Sequence, residues 1–273
     1  MKLLLNDERV EDIKAKNNGV TPFYIACEKG HIEIVKLLLI DARVVDINQA
    51  DNDGNTPLYI ACENGYIEVV KLLLNDRRID GINKEDQYGR TPFSIACKGG
   101  PIEIVKLLLN DQRIDVNKAN KNEATPFFTA CYYGHIKILK LLLNDSRVDI
   151  NQADYLNQTP FYIACKNGQF DAIECILASR REVDLKARNN QGKMAIEIMK
   201  EITKEKGKRF YENEEEFQER KRKCLKTVEL LESFERNPNE AKTKLRIQLG
   251  FAGNFFFFQL LFLLICSIIF YRL

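Results

Sequence analysis

The sequence predicts an all-α solenoid of stacked helix-turn-helix units, followed by a long charged helix and a single C-terminal transmembrane helix. Three observations predict it. The stretch TPLYIACENGYIEVVKLLL beginning at Thr56 has close copies beginning at Thr21, Thr91, Thr125 and Thr159, at intervals of 35, 35, 34 and 34 residues. Repeat periods of this size mark a stack of small helical units. From Lys200 to Arg236, 21 of 37 residues are charged, which is too polar for a core but suits a solvated helix with i,i+4 ion pairs. Between Ile247 and Tyr271 there is no charge at all.

The repeated unit follows from its residues. Thr56 suits an N-cap, because its hydroxyl can accept from a free backbone N–H, and Pro57 suits the first helical position, where its missing N–H would be unpaired anyway. The first helix runs through Leu58, Tyr59, Ile60, Ala61 and Cys62 to Gly65, which can take the left-handed conformation that closes a helix. A second helix carries Ile67, Val69, Val70, Leu72, Leu73 and Leu74 on more than one face, so it must lie between neighbours. Ala61 and Cys62 allow close helix packing. Glu68 and Lys71 make a solvent-side i,i+3 pair, repeated as Glu33–Lys36 and Glu103–Lys106.

Gly54, Thr56-Pro57-Leu58-Tyr59, Ala61-Cys62, Gly65-Tyr66 and Val69-Val70-Lys71-Leu72-Leu73-Leu74 together resemble the ankyrin repeat. The resemblance extends over residues 1–207: a partial unit at 1–20, full units from Thr21, Thr56, Thr91, Thr125 and Thr159, and a divergent C-terminal cap near Met194, where Gly192-Lys193-Met194-Ala195 stands in place of Gly-x-Thr-Pro. It implies β-hairpin loops between units and a role in protein–protein interaction as an adaptor or scaffold. The family's histidine after Thr-Pro is replaced by Tyr24, Tyr59, Ser94, Phe128 and Tyr162, which alters a local hydrogen-bond network. The loop after each second helix, as in Asn110 to Asn117, is longer than usual and accounts for the long period.

The resemblance implies partner contacts at the hairpin tips and on the exposed face of the first helix. Most units carry ordinary polar residues there, such as Asn17-Asn18, Asn52-Asp53, Lys121-Asn122, Glu28-Lys29 and Glu63-Asn64. The middle and late units place Tyr88 and Arg90 at one tip, Tyr132 and Tyr133 on a helix, and Tyr155 with Leu156 at the next tip. Tyrosine and arginine dominate binding hot spots, so these six are the partner-binding candidates. In the competing reading, Tyr132 and Phe128 pack on neighbouring repeats. Glu123 and Asn157 replace the tip glycine in these units, so their hairpins are expected to differ in shape.

Other functions find little support in the residues. The formal charge of +2 gives no electrostatic case for nucleic acid, and the partners expected are proteins, with no small-molecule substrate. Only His31 and His135 are available as imidazole bases, both at the Gly-His position of the repeat, and no triad or carboxylate dyad emerges. No catalytic residue, cofactor or metal is expected. Cys27, Cys62, Cys97, Cys131 and Cys165 share one column, separated by the ~8–10 Å of packed helices, farther than the ~7 Å between Cα atoms that a disulfide allows. They are read as core residues. Arg9, Arg43, Arg78, Arg113, Arg147 and Arg181 recur beside Asp7, Asp41, Asp76, Asp111 and Asp145, and are read as complementing the C-terminal end of each second helix, with the aspartates arguing against a basic stripe.

The ends are of another kind. Met1 to Asp7 align with the end of a second helix, so the first unit lacks its first half and the stack lacks a polar N-terminal cap. Residues 1–20 then fray, are covered by a partner, or belong to a longer chain; the last is favoured. Leu3-Leu4-Leu5 is too short for a secretory leader, which places the repeats in the cytosol. Residues 208–246 are read as a charged helical linker. Its apolar line, Phe210, Phe217, Cys224 and Leu231, lets the helix lie on the last repeat in preference to a coiled coil, and Asn237-Pro238 ends it. In the tail, 247–273, residues 251–271 are long enough to cross a bilayer, and Lys242, Lys244 and Arg246 before them favour repeats on the cytosolic side. The chain therefore reads as an interaction adaptor anchored by its tail. The alternative is a soluble scaffold, or the targeting subunit of a larger complex, whose tail packs against another chain.

Overall fold

A computed structural model describes residues 19–41, 46–204 and 212–250. Five helix pairs carry the repeated stretch: α1 (Pro22–Glu28) with α2 (Ile32–Ile40), α3 (Pro57–Glu63) with α4 (Ile67–Asn75), α5 (Pro92–Gly99) with α6 (Ile102–Asn110), α7 (Pro126–Tyr133) with α8 (Ile136–Asn144), and α9 (Pro160–Asn167) with α10 (Phe170–Ala178). Then come α11 (Ala195–Lys204), α12 (Glu214–Arg236) and α13 (Pro238–Gln248). Each first helix packs on the first helix of the next unit, and each second helix on the next second helix. The first helices lie closer together than the second ones, because the Ala-Cys pairs between them are small and buried. Unequal spacing curves the stack, with first helices and tips on its inner side.

The predicted caps are all present. Thr21, Thr56, Thr91, Thr125 and Thr159 each accept from the backbone N–H three residues on, ahead of a proline at the first helical position. The five column cysteines are buried and free, and burial pushes the Cys27 thiol up to about 12.

The loops between units differ from the expected β-hairpins, for the described residues contain no strand. An Asp or Asn seats each tip instead: Asp51 Oδ1 accepts from the N–H groups of Asp53 at 3.0 Å and Asn55 at 2.8 Å. Asp86, Asn120, Asp154 and Asn189 repeat the arrangement. With their bonds turned inward, neighbouring tips among the described residues share one backbone bond each, such as Lys121 N–H to Tyr88 O. At that junction a Cβ on Gly89 (φ +78°) would lie 2.7 Å from Lys121 N, so glycine is required. Glu123 and Asn157 do not reshape their tips. Both take φ 59°, the left-handed conformation of the glycines they replace, and keep the same hydrogen bonds.

The arginine column also departs from expectation. The column's arginines among the described residues reach back one unit: Arg78 Nη2 donates to Leu39 O at 2.7 Å, Arg113 Nη2 to Leu74 O at 3.1 Å, Arg147 Nη2 to Leu109 O at 2.6 Å and Arg181 Nη1 to Asp145 O at 2.9 Å. Asp76, Asp111 and Asp145 hold the first three guanidiniums in place at 2.6–2.7 Å. The clasp therefore joins units, and it satisfies carbonyls that a helix end leaves free. A second ladder runs beside it. The side chains of Asn48, Asn83, Asn117 and Asn151 donate to backbone carbonyls of the following unit, at Arg78, Arg113, Arg147 and Glu182, and accept from its N–H groups.

Beyond the repeats, α11 takes the place of a first helix, with Glu197 accepting from Met194 N–H at 2.7 Å where the threonine cap is lost. The described part of the segment expected as a linker, 212–246, packs on the end of the stack as its apolar line suggested, and forms a cap of two helices. Helix α12 lies on α11, with Phe217, Cys224, Val228, Leu231 and Phe234 buried. Asn237 ends α12 and also caps α13, which turns back onto α10. The partial unit at 1–20, apart from its last two residues, Phe210, and the proposed span at 251–271 all lie outside the described residues. Among the described residues no helix is long and apolar enough to cross a membrane.

Candidate functional site

The inner face of the third to fifth units forms a groove of about 380 Å³ between α5, α7 and α9 and the tips that precede α7 and α9. Five of the six sequence-predicted residues, Arg90, Tyr132, Tyr133, Tyr155 and Leu156, line it. Tyr88 is not in the lining, but the Arg90 guanidinium lies 4.9 Å from its ring centre, which places it at the upstream rim. The tyrosines are surface residues: Tyr132 and Tyr133 are each 44% exposed and Tyr155 56%. Phe128, at 6%, is core. The two readings of this helix thus divide between adjacent faces of α7.

Each side chain is held by its element. Tyr132 and Tyr133 end α7 ahead of Gly134 (φ +72°), with ring centres 4.9 Å apart edge to face, and Tyr133 stacks on His135 at 5.8 Å. His135 Nε2 bonds Lys98 O at 2.7 Å, so this imidazole ties α7 to the preceding unit. Tyr155 and Leu156 occupy the tip seated on Asp154. Arg90 is fixed by Asp86, whose Oδ2 lies 2.6 Å from its Nε. Burial alone would raise the Asp86 carboxyl, but hydrogen bonds from Arg90 and from the tip N–H groups hold it below the usual carboxylate range.

Sequence reasoning missed a ladder that locates the groove. Tyr24 donates its hydroxyl to Asp51 Oδ2 at 2.8 Å, Tyr59 to Asp86 Oδ2 at 3.2 Å, and Asn189 Nδ2 donates to the Tyr162 hydroxyl at 2.8 Å. Each bond links an inner helix to the tip of the next unit, 27 residues on. Ser94 and Phe128 stand in that column without a phenol, and the groove lies against both. The visible signal was the substitution of Ser and Phe for Tyr at these two positions.

The described residues contain no group of three or more His, Cys, Asp or Glu that could hold a metal. The arrangement instead offers aromatic rings, two lysines and fixed tip dipoles across three consecutive units.

A family model for ankyrin repeats in three copies matches residues 1–83, 42–120, 76–154 and 112–189. The chain belongs to the ankyrin-repeat family. Among solved structures, the ankyrin-repeat protein EF0377 is similar at 24% identity and a TM-score of 0.62, covering 77% of this chain and 98% of that one. The ankyrin-repeat domain of Bcl-3, a member of the IκB protein family, is similar at 20% identity and a TM-score of 0.61, covering 68% of this chain and 81% of that one. These likenesses establish the fold. No curated protein matches. Ankyrin repeats are a protein-interaction module, and on an ankyrin stack the groove lies on the inner face, where helices and tips converge.

Proposed function

We propose that this ankyrin-repeat chain is a protein-interaction adaptor or scaffold, not an enzyme, and that its partner docks in the groove against Tyr132, Tyr133, Tyr155 and Leu156, with Tyr88 and Arg90 at the rim. The observation that carries this reading is the clustering of exposed large apolar side chains. Apart from these five, the described residues expose only Ile25, Ile40, Leu225 and Ile247, none of which lines the groove. Clustered tyrosines beside a fixed arginine are what a binding hot spot requires. Replacing Tyr132, Tyr133 and Tyr155 by alanine is expected to abolish recovery of interacting proteins while the unfolding midpoint stays within a few degrees. An undiminished set of recovered proteins would contradict the assignment.

The same proposal makes residues 251–271 a membrane span that holds the repeats on the cytosolic side. Its support is the sequence, 21 uncharged residues preceded by Lys242, Lys244 and Arg246. Helix α13 ends at Gln248, so the span would set the end of the solenoid against the bilayer surface. Alkaline extraction tests it by comparing the full chain with one ending after Gly250, which retains the Leu249 contact with the core. A pelleted full chain beside a soluble, helical truncation supports the anchor; a soluble full chain refutes it.

A further inference from the structure

The tyrosine ladder fills the angle between inner helix and next tip in three units, and at Ser94 that filling is absent. Where Tyr59 sends a ring and hydroxyl to Asp86, Ser94 ends after one carbon and bonds back to Thr91. Ser94 and Asn120, the tip residue that a tyrosine at 94 would meet, both line the groove. Neither the Asn120 amide nitrogen nor Asp154 Oδ2 has a hydrogen-bond partner among the described residues, whereas the tip carboxylates of Asp51 and Asp86 each accept a phenol.

Charge changes sign along the same face. The position two residues before Gly30, Gly65, Gly100, Gly134 and Gly168, which follow the five first helices, reads Glu28, Glu63, Lys98, Tyr132 and Lys166. Lys98 and Lys166 flank Tyr132 in the groove, are exposed, and make no ion pair among the described residues. Arg90 is already neutralised by Asp86. The one carboxylate in the lining, Asp154, uses Oδ1 for two tip N–H groups and leaves Oδ2 to accept a hydroxyl or N–H from an occupant.

We infer that the groove takes the tyrosine side chain of an acidic segment of a partner protein. The ring enters beside Ser94, where the chain's own tyrosine lies in three other units, its hydroxyl meets Asn120, and flanking carboxylates oppose Lys98 and Lys166. This rests on the interaction reading above and adds the chemistry of the partner. Charge opposition steers encounter and selects against basic segments, while the buried ring supplies most of the affinity.

The test is selection of random 12-residue displayed peptides on the full chain, on Ser94→Tyr, on Lys98→Glu/Lys166→Glu, and on Tyr132→Ala/Tyr155→Ala. Ser94→Tyr should restore the ladder and occupy the ring's place from within. Its fold is checked by thermal unfolding, and Ser94→Leu fills the same space without a hydroxyl if the tyrosine variant is unstable. The expected result is enrichment of acidic peptides carrying a tyrosine, reduced about thirtyfold by filling position 94, with the acidic preference lost on the double lysine variant. Enriched peptides that are basic or lack an aromatic, or that bind the filled variant equally well, would overturn the inference but leave the interaction reading intact. Absence of any enrichment over Tyr132→Ala/Tyr155→Ala would overturn both.

Discussion

The hydroxyl of Tyr59 donates to Oδ2 of Asp86 at 3.2 Å, and Nε of Arg90 donates to the same oxygen at 2.6 Å. One buried carboxylate thereby joins an inner helix, the tip of the next unit and the rim of the groove. Removing the phenol donor with Tyr59→Phe is expected to cost about 1 kcal/mol, the net worth of one hydrogen bond. The converse change, Phe128→Tyr, supplies Asp154 with the donor it lacks and is expected to stabilise by a similar amount. Urea unfolding of both variants checks the pair; equal shifts in the same direction would contradict the ladder.

Acidification should act through the same group. The folded Asp86 carboxyl titrates below the ordinary carboxylate range, as do those of Asp76, Asp111 and Asp145 beside their arginines. A depressed folded pKa gives stability that is full above the unfolded value near ~4 and is lost as pH falls through the folded values. Unfolding midpoints measured from pH 6 downward should therefore fall below about pH 4, and less steeply in Asp86→Asn. An identical slope in that variant would show that Asp86 does not contribute.

The C-terminal cap imitates a repeat it does not contain. Arg246 Nη1 donates to Ala178 O at 2.6 Å, at the end of α10, and Lys242 Nζ to Arg181 O at 3.3 Å. In the units before it, that helix end is claimed by the next unit's arginine. Arg246→Ala is expected to raise amide exchange in α10 and α13 by the equivalent of about 1–3 kcal/mol, leaving α3 and α4 unchanged. Unaltered exchange in α10 would mean that the apolar contacts alone hold the cap.

Glu123 holds φ 59° at a tip position where Gly19, Gly54, Gly89 and Gly192 stand in other units. A side chain in this region costs about 1–2 kcal/mol, so Glu123→Gly is expected to raise stability by roughly 1 kcal/mol once the greater freedom of the unfolded glycine is counted. Thermal unfolding decides the sign.

The register, the threonine caps, the cysteine core and the odd residues Tyr88, Tyr132, Tyr133, Tyr155 and Leu156 were legible because each follows from local spacing or from a departure within a column, whereas whether Tyr132 faces solvent or a neighbouring repeat was not. The bonds between units were not. Asn83 to Arg113, Arg113 to Leu74 and Tyr59 to Asp86 span 27 to 39 residues, and a periodic sequence displays such residues as columns without saying which neighbour each one meets. Arg113 was therefore assigned to its own helix end when it serves the preceding one. The thin apolar line of α12 showed that it could lie on the last repeat. That Asn237-Pro238 starts a further packed helix was concealed by the charges of α13, two of which, Lys242 and Arg246, are turned inward onto carbonyls.

The central claim, that the groove is where a partner protein binds, is tested most directly by photo-crosslinking from inside it. A benzophenone amino acid replaces Tyr132 in one full-length chain and the exposed Lys71 on α4 in another. The account predicts a discrete crosslinked protein from position 132 and none from 71. Equal crosslinking from both positions, or a discrete product from 71 alone, would contradict it.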